Sequence, residues 1–273
     1  MVTILLDKGD ILMIQNAVTQ LKQQVQILST EHGLSSLKAG TEWEDMDYQE
    51  IKWLYELGEK QLPILVKVAG PEAKVDLRHL KEIGVTGLLG PMIESTYAME
   101  KFIHIAQAHY KNSAKPPRLA INLETIHAHD QLDTLISSPA FDAVELVVIG
   151  RLDLSLSMGI DDVDDPKVLK VTQNMVNKVR AAGKSVSIGG FVNPASAKSI
   201  CDTFDVNYLN TIHTLFDLSK IDNVTDAVWK GIEFEIAFYE YLKMRNPARS
   251  DFYQNRIETS QAKLDKAADL VCS

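Results

Sequence analysis

Short β-rich runs alternate with helical segments along most of this chain, and that alternation strongly constrains its fold. Between the runs, apolar residues change from every second position to every third or fourth. The seven runs cover residues 34–39, 64–69, 85–89, 119–123, 143–149, 185–189 and 208–212. This order is typical of βα units, which place parallel strands side by side and pack helices on them. Residues 2–6 offer an eighth apolar run.

Eight such units favour a (β/α)8 TIM barrel over an open, doubly wound sheet. No run is followed by the Gly-x-Gly-x-x-Gly turn that dinucleotide-binding sheets carry, and 273 residues suit a single barrel. From residue 222 the pattern changes to a long aromatic-rich helix and then a polar one. We therefore expect a barrel over 1–221. A helical extension over 222–273 should pack on the barrel or on a partner subunit.

Composition excludes several classes of function. The formal net charge of −9 argues against a nucleic-acid partner, because neutralising phosphates requires a concentrated basic surface. Two cysteines, Cys201 and Cys272, provide no disulfide framework. The N-terminus lacks a signal-peptide pattern, and no apolar stretch approaches the ~20 residues that span a bilayer. We expect a cytoplasmic protein with a small-molecule substrate and no membrane partner.

Two acidic residues follow neighbouring apolar runs. Glu124 comes directly after residues 119–123, and Asp153 follows residues 143–149 closely. Functional groups of such barrels lie at the C-terminal ends of strands, where these carboxylates can converge on Mg²⁺ or Mn²⁺. Each acid is also a plausible helix N-cap or salt-bridge partner. These residues alone leave both interpretations open.

Two lysines end earlier runs. Lys67 shares a strand face with Leu65, so its side chain can point into the barrel. We interpret Lys67 first as a cation for a carboxylate or oxyanion, then as a structural partner of Glu94 or Glu124, and last as a Schiff-base nucleophile. Lys38 receives the same order of interpretations, with substrate binding first.

Five further residues are candidates by position. Arg151 can bind a substrate carboxylate or pair with Glu94, and His213 ends the last run as an extra catalytic group. Glu94 is either a first-turn helix acid or a contact of the site. Gly70 and Gly189 allow a ligand to approach the backbone, although ordinary turns explain them equally well.

Three motifs carry a family resemblance. They read Gly-Val-Thr-Gly followed by Pro-Met-Ile-Glu-Ser, then Ile-Asn-Leu-Glu-Thr, then Gly-Arg-Leu-Asp-Leu-Ser, at residues 84–87, 91–95, 121–125 and 150–155. In this order the chain resembles the HpcH/HpaI aldolase and citrate lyase β-subunit family over about residues 34–190. The resemblance implies that Glu124 and Asp153 hold Mg²⁺ or Mn²⁺. It also implies that the metal binds a 2-oxo acid and stabilises an enolate.

The chain also departs from that family. The aldolase branch has arginine where Lys67 stands, and Gly-Glu-His where residues 40–42 read Gly-Thr-Glu. We therefore expect a metal-dependent carbon–carbon lyase for a 2-oxo acid, such as a pyruvate- or oxaloacetate-like carboxylate, with an altered proton-transfer group. The alternatives are a CoA-thioester lyase or condensing enzyme and a non-catalytic barrel used as a binding subunit. We also expect a homo-oligomer.

Overall fold

A computed structural model describes residues 8–271, and its centre is a closed barrel of eight strands in sequence order. The strands are β1 (Leu34–Gly40), β2 (Ile64–Lys67), β3 (Gly87–Gly90), β4 (Arg118–Leu123), β5 (Leu146–Gly150), β6 (Ser185–Gly189), β7 (Tyr208–Asn210) and β8 (Thr214–Asp217). The expected α/β barrel is confirmed, and β1 to β7 match the seven predicted runs. Residues 2–6, the predicted extra strand, lie outside the described residues.

Helices surround the barrel and extend beyond it. They are α1 (Lys8–Glu31), α2 (Tyr48–Leu57), α3 (Lys74–Ile83), α4 (Thr96–Tyr110), α5 (Ile126–Asp130), α6 (Leu132–Ser137), α7 (Arg151–Ser157), α8 (Pro166–Ala181), α9 (Pro194–Thr203), α10 (Val224–Arg245) and α11 (Ser250–Val271). Across residues 8–271, no helix has the length and apolar character needed to cross a membrane.

The eighth strand runs in the direction opposite to the other seven. Neighbours from β1 to β7 pair in parallel, whereas β8 pairs antiparallel with both β7 and β1. Only residues 211–213 separate β7 from β8. A parallel return requires a crossover of a dozen or more residues, so this short connection forces a hairpin. Parallel units were predicted throughout, and β8 was not identified from the sequence.

The reversed strand determines where the C-terminal helices lie. We call the end of the barrel at which β1 to β7 finish the mouth, and the other end the base. Asp217 N donates to Gly33 O over 2.9 Å, so β8 ends at the base. Helix α10 is ~33 Å long at 1.5 Å per residue and returns to the mouth. There Arg249 contacts Glu50 at the start of α2, and α11 begins.

The barrel interior is apolar below the mouth. Its packed side chains are Leu65, Leu89, Ala120, Leu146, Val148 and Leu215. Alternate residues of a strand share one face, so the residues two positions later on β2 and β4 also point inward, above this layer. Those residues are Lys67 and Asn122. The fold therefore provides an apolar floor with polar side chains above it.

Candidate active site

A cavity of about 270 Å³ opens at the mouth, above the apolar floor. The ends of β1, β2, β4, β5, β6 and β7 line it, together with helix α11. Its charged lining residues are Lys38, Glu44, Lys67, Glu124, Asp153 and Lys263. Six charged side chains therefore meet in one cavity.

Glu124 is a buried carboxylate of the cavity that faces a cation. Its Oε1 accepts a hydrogen bond from Met92 N at 3.2 Å and lies 3.3 Å from Lys67 Nζ, while Oε2 accepts from the Asn122 amide. A side chain at Gly150 would place its Cβ 2.8 Å from Oε2, so glycine there makes room for the carboxylate. Burial raises the pKa of Glu124, the charge of Lys67 opposes that rise, and the charge of Asp153 adds to it.

Asp153 lies in the first turn of α7, beyond β5 and beside β4. Its half-buried carboxylate has no hydrogen-bond or ion-pair partner within residues 8–271, although it raises the pKa of Glu124 by charge repulsion. Two hard oxygen donors that repel one another suit a divalent cation, which takes one or two protein carboxylates and completes its shell with water or substrate. Among the described residues, no third histidine, cysteine or acid joins them.

Two of the three lysines that line the cavity pair with acids of the loop after β1. Lys38 Nζ lies 2.5 Å from Glu44 Oε1, and Lys67 Nζ lies 2.8 Å from Glu42 Oε2. Burial lowers the pKa of Lys67, but the charges of Glu124 and Glu42 outweigh burial and the net shift is upward. Lys67 is therefore an ammonium ion. That state suits the binding of anions and opposes a Schiff-base role, which requires a neutral amine.

A buried aspartate fixes the loop that carries these acids. Asp76 accepts hydrogen bonds from the Thr41 hydroxyl at 2.6 Å, from Ala69 N at 2.8 Å and from the Tyr48 hydroxyl at 2.8 Å. Burial and the Asp76 carboxylate raise the pKa of Tyr48 to about 12, so its hydroxyl remains a donor. Asp76 thus ties the loops after β1 and β2 together.

Three further predicted site residues take different positions. Gly189 lines the cavity, and a Cβ there would lie 2.6 Å from Asn210 Nδ2. Glu94 accepts a hydrogen bond from the Thr125 hydroxyl at 2.7 Å, outside the cavity lining. Gly70 accepts from Ala73 N at 3.2 Å in a turn before α3, which is also outside the lining.

Arg151 and His213 are both fully buried outside the cavity lining. The Arg151 guanidinium donates to Asp164 at 2.8 Å. The His213 ring lies between Lys38 O, 3.0 Å from Nδ1, and the Tyr239 hydroxyl, 2.9 Å from Nε2. Because a carbonyl only accepts, Nδ1 carries the proton and Nε2 accepts from tyrosine. These positions do not support direct contact of either side chain with a substrate in this cavity.

Four charged or amide side chains of the cavity were not predicted from the sequence. Asn122 stands two positions before Glu124 on the same strand face, and Asn210 ends β7, so strand alternation was a usable signal for both. Glu44 lies in a loop whose conformation no motif specifies. Lys263 comes from a helix distant in sequence, and nothing in its neighbourhood indicates a site.

Comparison with known proteins identifies a family for the central part of the chain. Residues 63–198 match the model of the HpcH/HpaI aldolase/citrate lyase family. One relative, the 2-keto-3-deoxy-L-rhamnonate aldolase of Klebsiella pneumoniae, is 35% identical over 94 residues. That match covers 33% of this chain and 33% of the relative, so the similarity spans about a third of either protein.

Solved structures share the barrel. An HpcH/HpaI aldolase/citrate lyase family protein from Burkholderia cenocepacia superposes with a TM-score of 0.57 at 16% identity, covering 69% of this chain and 82% of that one. An HpcH/HpaI aldolase from Desulfitobacterium hafniense gives 0.55 at 17%, covering 67% and 78%. At such identities the likeness concerns the fold alone. Over residues 63–198, the segment that carries Lys67, Glu124 and Asp153, the chain is a member of the HpcH/HpaI aldolase/citrate lyase family, whose members generally depend on a divalent metal.

Proposed function

We propose that the protein is a carbon–carbon lyase of the aldolase class that acts on a 2-oxo acid in the cavity at the mouth. One observation carries the proposal: the carboxylates of Glu124 and Asp153 line one cavity with Lys67, whose Nζ lies 3.3 Å from Glu124 Oε1. The family match and the similarity to an aldolase that acts on a 2-keto acid support the reaction class.

Glu124 and Asp153 are the residues that would hold a divalent metal, Mg²⁺ or Mn²⁺. When bound, such an ion supplies positive charge to the oxygens of a 2-oxo acid and makes loss of a C3 proton easier. The fit rests on the chemistry of the donors, two carboxylate oxygens, and on the lack of any partner for Asp153 within the described part of the chain.

The other cavity residues have roles that follow from their state and position. Lys67 is a fixed cation beside Glu124 and stabilises negative charge that develops on a substrate oxygen. The side-chain amides of Asn122 and Asn210 provide further hydrogen-bond donors, and each has a fixed partner, Glu124 and Ser187 respectively. The apolar layer below excludes water from the reacting carbon.

Proton exchange at C3 of pyruvate tests the proposal, because exchange needs only the first half of the reaction. In D₂O with Mg²⁺ or Mn²⁺ we expect enzyme-dependent loss of the methyl proton signal by NMR, abolished by chelation and by Asp153→Asn. Asp161→Asn, which changes an exposed acid of the following loop, is the matched control and should exchange normally. If folded, metal-supplied protein exchanges neither pyruvate nor oxaloacetate, the proposal is wrong. Exchange confined to the methyl group of acetyl-CoA would indicate a thioester lyase instead.

We also propose a homo-oligomer. Helix α1 exposes three consecutive large apolar side chains, Ile11, Leu12 and Met13, which are 45%, 58% and 56% accessible in the single chain. Light scattering should give a multiple of 30.4 kDa, and Leu12→Lys should shift the mass toward that value. A monomeric wild-type protein at micromolar concentration would exclude the assembly.

A further inference from the structure

Helix α11 covers part of the cavity that the barrel strands form. Thr259 and Lys263 line the same cavity as Glu124, although α11 lies outside the residues that match the family model. The helix is fixed by Arg256, whose guanidinium carbon lies 3.8 Å from the Trp43 ring centre and which donates to Trp43 O at 2.7 Å. These contacts hold α11 against the loop after β1, about two helical turns before Lys263.

Lys263 is a cavity lysine whose amine has no carboxylate partner among residues 8–271. Lys38 pairs with Glu44, and Lys67 pairs with two acids, whereas no carboxylate oxygen of the described chain lies within 4.0 Å of Lys263 Nζ. Burial lowers the pKa of Lys263, Glu235 raises it from a distance, and Arg256 lowers it further. A partly buried ammonium without a partner is unfavourable, and a bound anion would relieve that cost.

Phe191, which lines the cavity beside Lys263, is exposed and has an unusual backbone conformation. The Phe191 ring centre lies 6.0 Å from Lys263 Nζ, and the side chain is 45% exposed although it is aromatic. Its φ of 63° is in the left-handed region, where a bulky residue is uncommon and where strain often accompanies function. The preceding Gly190 fixes this turn, because a Cβ there would lie 2.4 Å from Leu152 N.

We infer that Lys263 forms an anion-binding subsite for the acceptor, meaning the aldehyde that is joined to or released from the 2-oxo acid. This inference rests on the proposed function. Glu124 and Asp153 lie at the strand ends, whereas Lys263 reaches the cavity from the helix that covers the mouth. An acceptor that lies between the reacting carbon and the mouth would place its far end near Lys263.

The reaction itself leaves the anionic group unchanged. C3 of the 2-oxo acid loses a proton and bonds to the carbonyl carbon of the acceptor, whose oxygen takes up a proton. A carboxylate or phosphate on the acceptor remains available to Lys263 throughout. The subsite therefore predicts selectivity for an anionic acceptor over a neutral acceptor of similar size.

Matched acceptors test the subsite in condensation with pyruvate. Glyoxylate is compared with glycolaldehyde, and glyceraldehyde 3-phosphate with glyceraldehyde. For Lys263→Met we expect kcat/KM to fall about 10-fold or more, mainly through KM, for the anionic member of at least one pair, and less than about twofold for the neutral members. A loss confined to glyoxylate would indicate a carboxylate on the acceptor, and a loss confined to glyceraldehyde 3-phosphate would indicate a phosphate. Lys266→Met removes an exposed charge from the same helix and should match wild type.

Two further measurements separate this inference from the proposed function. Pyruvate C3 exchange needs no acceptor. If wild type and Lys263→Met both exchange pyruvate, but Lys263→Met loses kcat/KM equally for charged and neutral acceptors, the subsite is wrong and the proposed function stands. The rise in melting temperature with glyoxylate or inorganic phosphate measures anion binding without turnover. If the melting temperature rises in wild type and Lys266→Met but not in Lys263→Met, the subsite is supported even when the protein does not exchange pyruvate. An equal rise, or no rise, in all three proteins contradicts it.

Discussion

Lys67 Nζ and Glu124 Oε1 meet 3.3 Å apart inside the barrel, although strand β3 separates the strands that carry them. The contact is possible because both side chains point inward above the apolar floor. For Lys67→Met we expect pyruvate exchange to fall at least about 100-fold, since the site loses a preorganised cation. Lys67→Arg keeps the charge and should retain more activity than the methionine variant. Equal activity of the methionine variant and wild type would exclude Lys67 from the chemistry.

Metal should stabilise the folded protein through Asp153. At about 100 times the dissociation constant, a ligand that binds only the native state adds ~2.7 kcal/mol to the free energy of unfolding. We expect Mn²⁺ to raise the melting temperature of wild type and of Asp161→Asn, and not that of Asp153→Asn. Without metal, Asp153→Asn should melt no lower than wild type, because the change removes repulsion with Glu124. An undiminished metal response of that variant would place the ion elsewhere.

The buried Lys38–Glu44 pair should be costly to break on one side only. Glu44→Gln leaves an enclosed ammonium without its carboxylate, and we expect a loss of ~3–5 kcal/mol in urea unfolding. The double variant Lys38→Met/Glu44→Leu should recover most of that loss, because both charges disappear together. Glu59→Gln breaks the exposed pair with Lys22 and should change stability by less than about 1 kcal/mol. If the double variant loses as much free energy of unfolding as Glu44→Gln or more, Lys38 and Glu44 are not energetically coupled.

Stability should fall as the pH drops below about 6.5, the usual pKa of histidine. Burial lowers the pKa of His213 in the folded state. Between the lowered and the usual pKa, the unfolded chain binds more protons, so acid favours unfolding, by up to ~1.4 kcal/mol per pH unit for one group. His213→Gln should flatten this part of the profile, whereas His127→Gln, at an exposed position, should not. An unchanged slope in His213→Gln would assign the acid sensitivity to other groups.

Arg256→Ala should release the loop between β1 and α2. The side chain both stacks on Trp43 and donates to its carbonyl, contacts that together contribute roughly 1–2 kcal/mol. We expect faster amide hydrogen exchange across residues 41–47, measured by mass spectrometry, and unchanged exchange in α8. Arg118→Ala, which breaks an exposed pair with Glu145, is the control. Equal protection of the loop in all three proteins would show that other contacts hold it.

Periodicity explains how much of this molecule could be predicted. Seven strands and helices α1, α2, α3 and α8 were identified because apolar spacing changes clearly between period 2 and period 3.6. The same alternation and the strand-end rule brought attention to Lys38, Lys67, Glu124, Asp153 and Gly189, which all line one cavity. Their roles remain predictions.

Features that depend on long-range packing were not predictable. Strand β8 follows β7 after only three residues, so no helical segment separates the two, and its direction follows from the length of that turn. That turn also takes His213 out of the cavity, so a position near a strand end was a misleading signal. Lys263 reaches the cavity only because of the route that α10 and α11 follow around the barrel, which no local pattern encodes.

The reversed β8 has a consequence for how such an enzyme can diversify. In a barrel of eight parallel strands, the last helix descends and its chain end emerges at the base, away from the reacting groups. Here β8 runs from the mouth to the base, α10 returns to the mouth, and α11 lies over the cavity. If Lys263 binds the acceptor as we propose, we expect changes in the segment from residue 246 onward to alter which acceptors bind while Glu124 and Asp153 stay in place. The residues that select the acceptor and the residues that act on the carbon–carbon bond would then lie on different segments of the chain and could change independently.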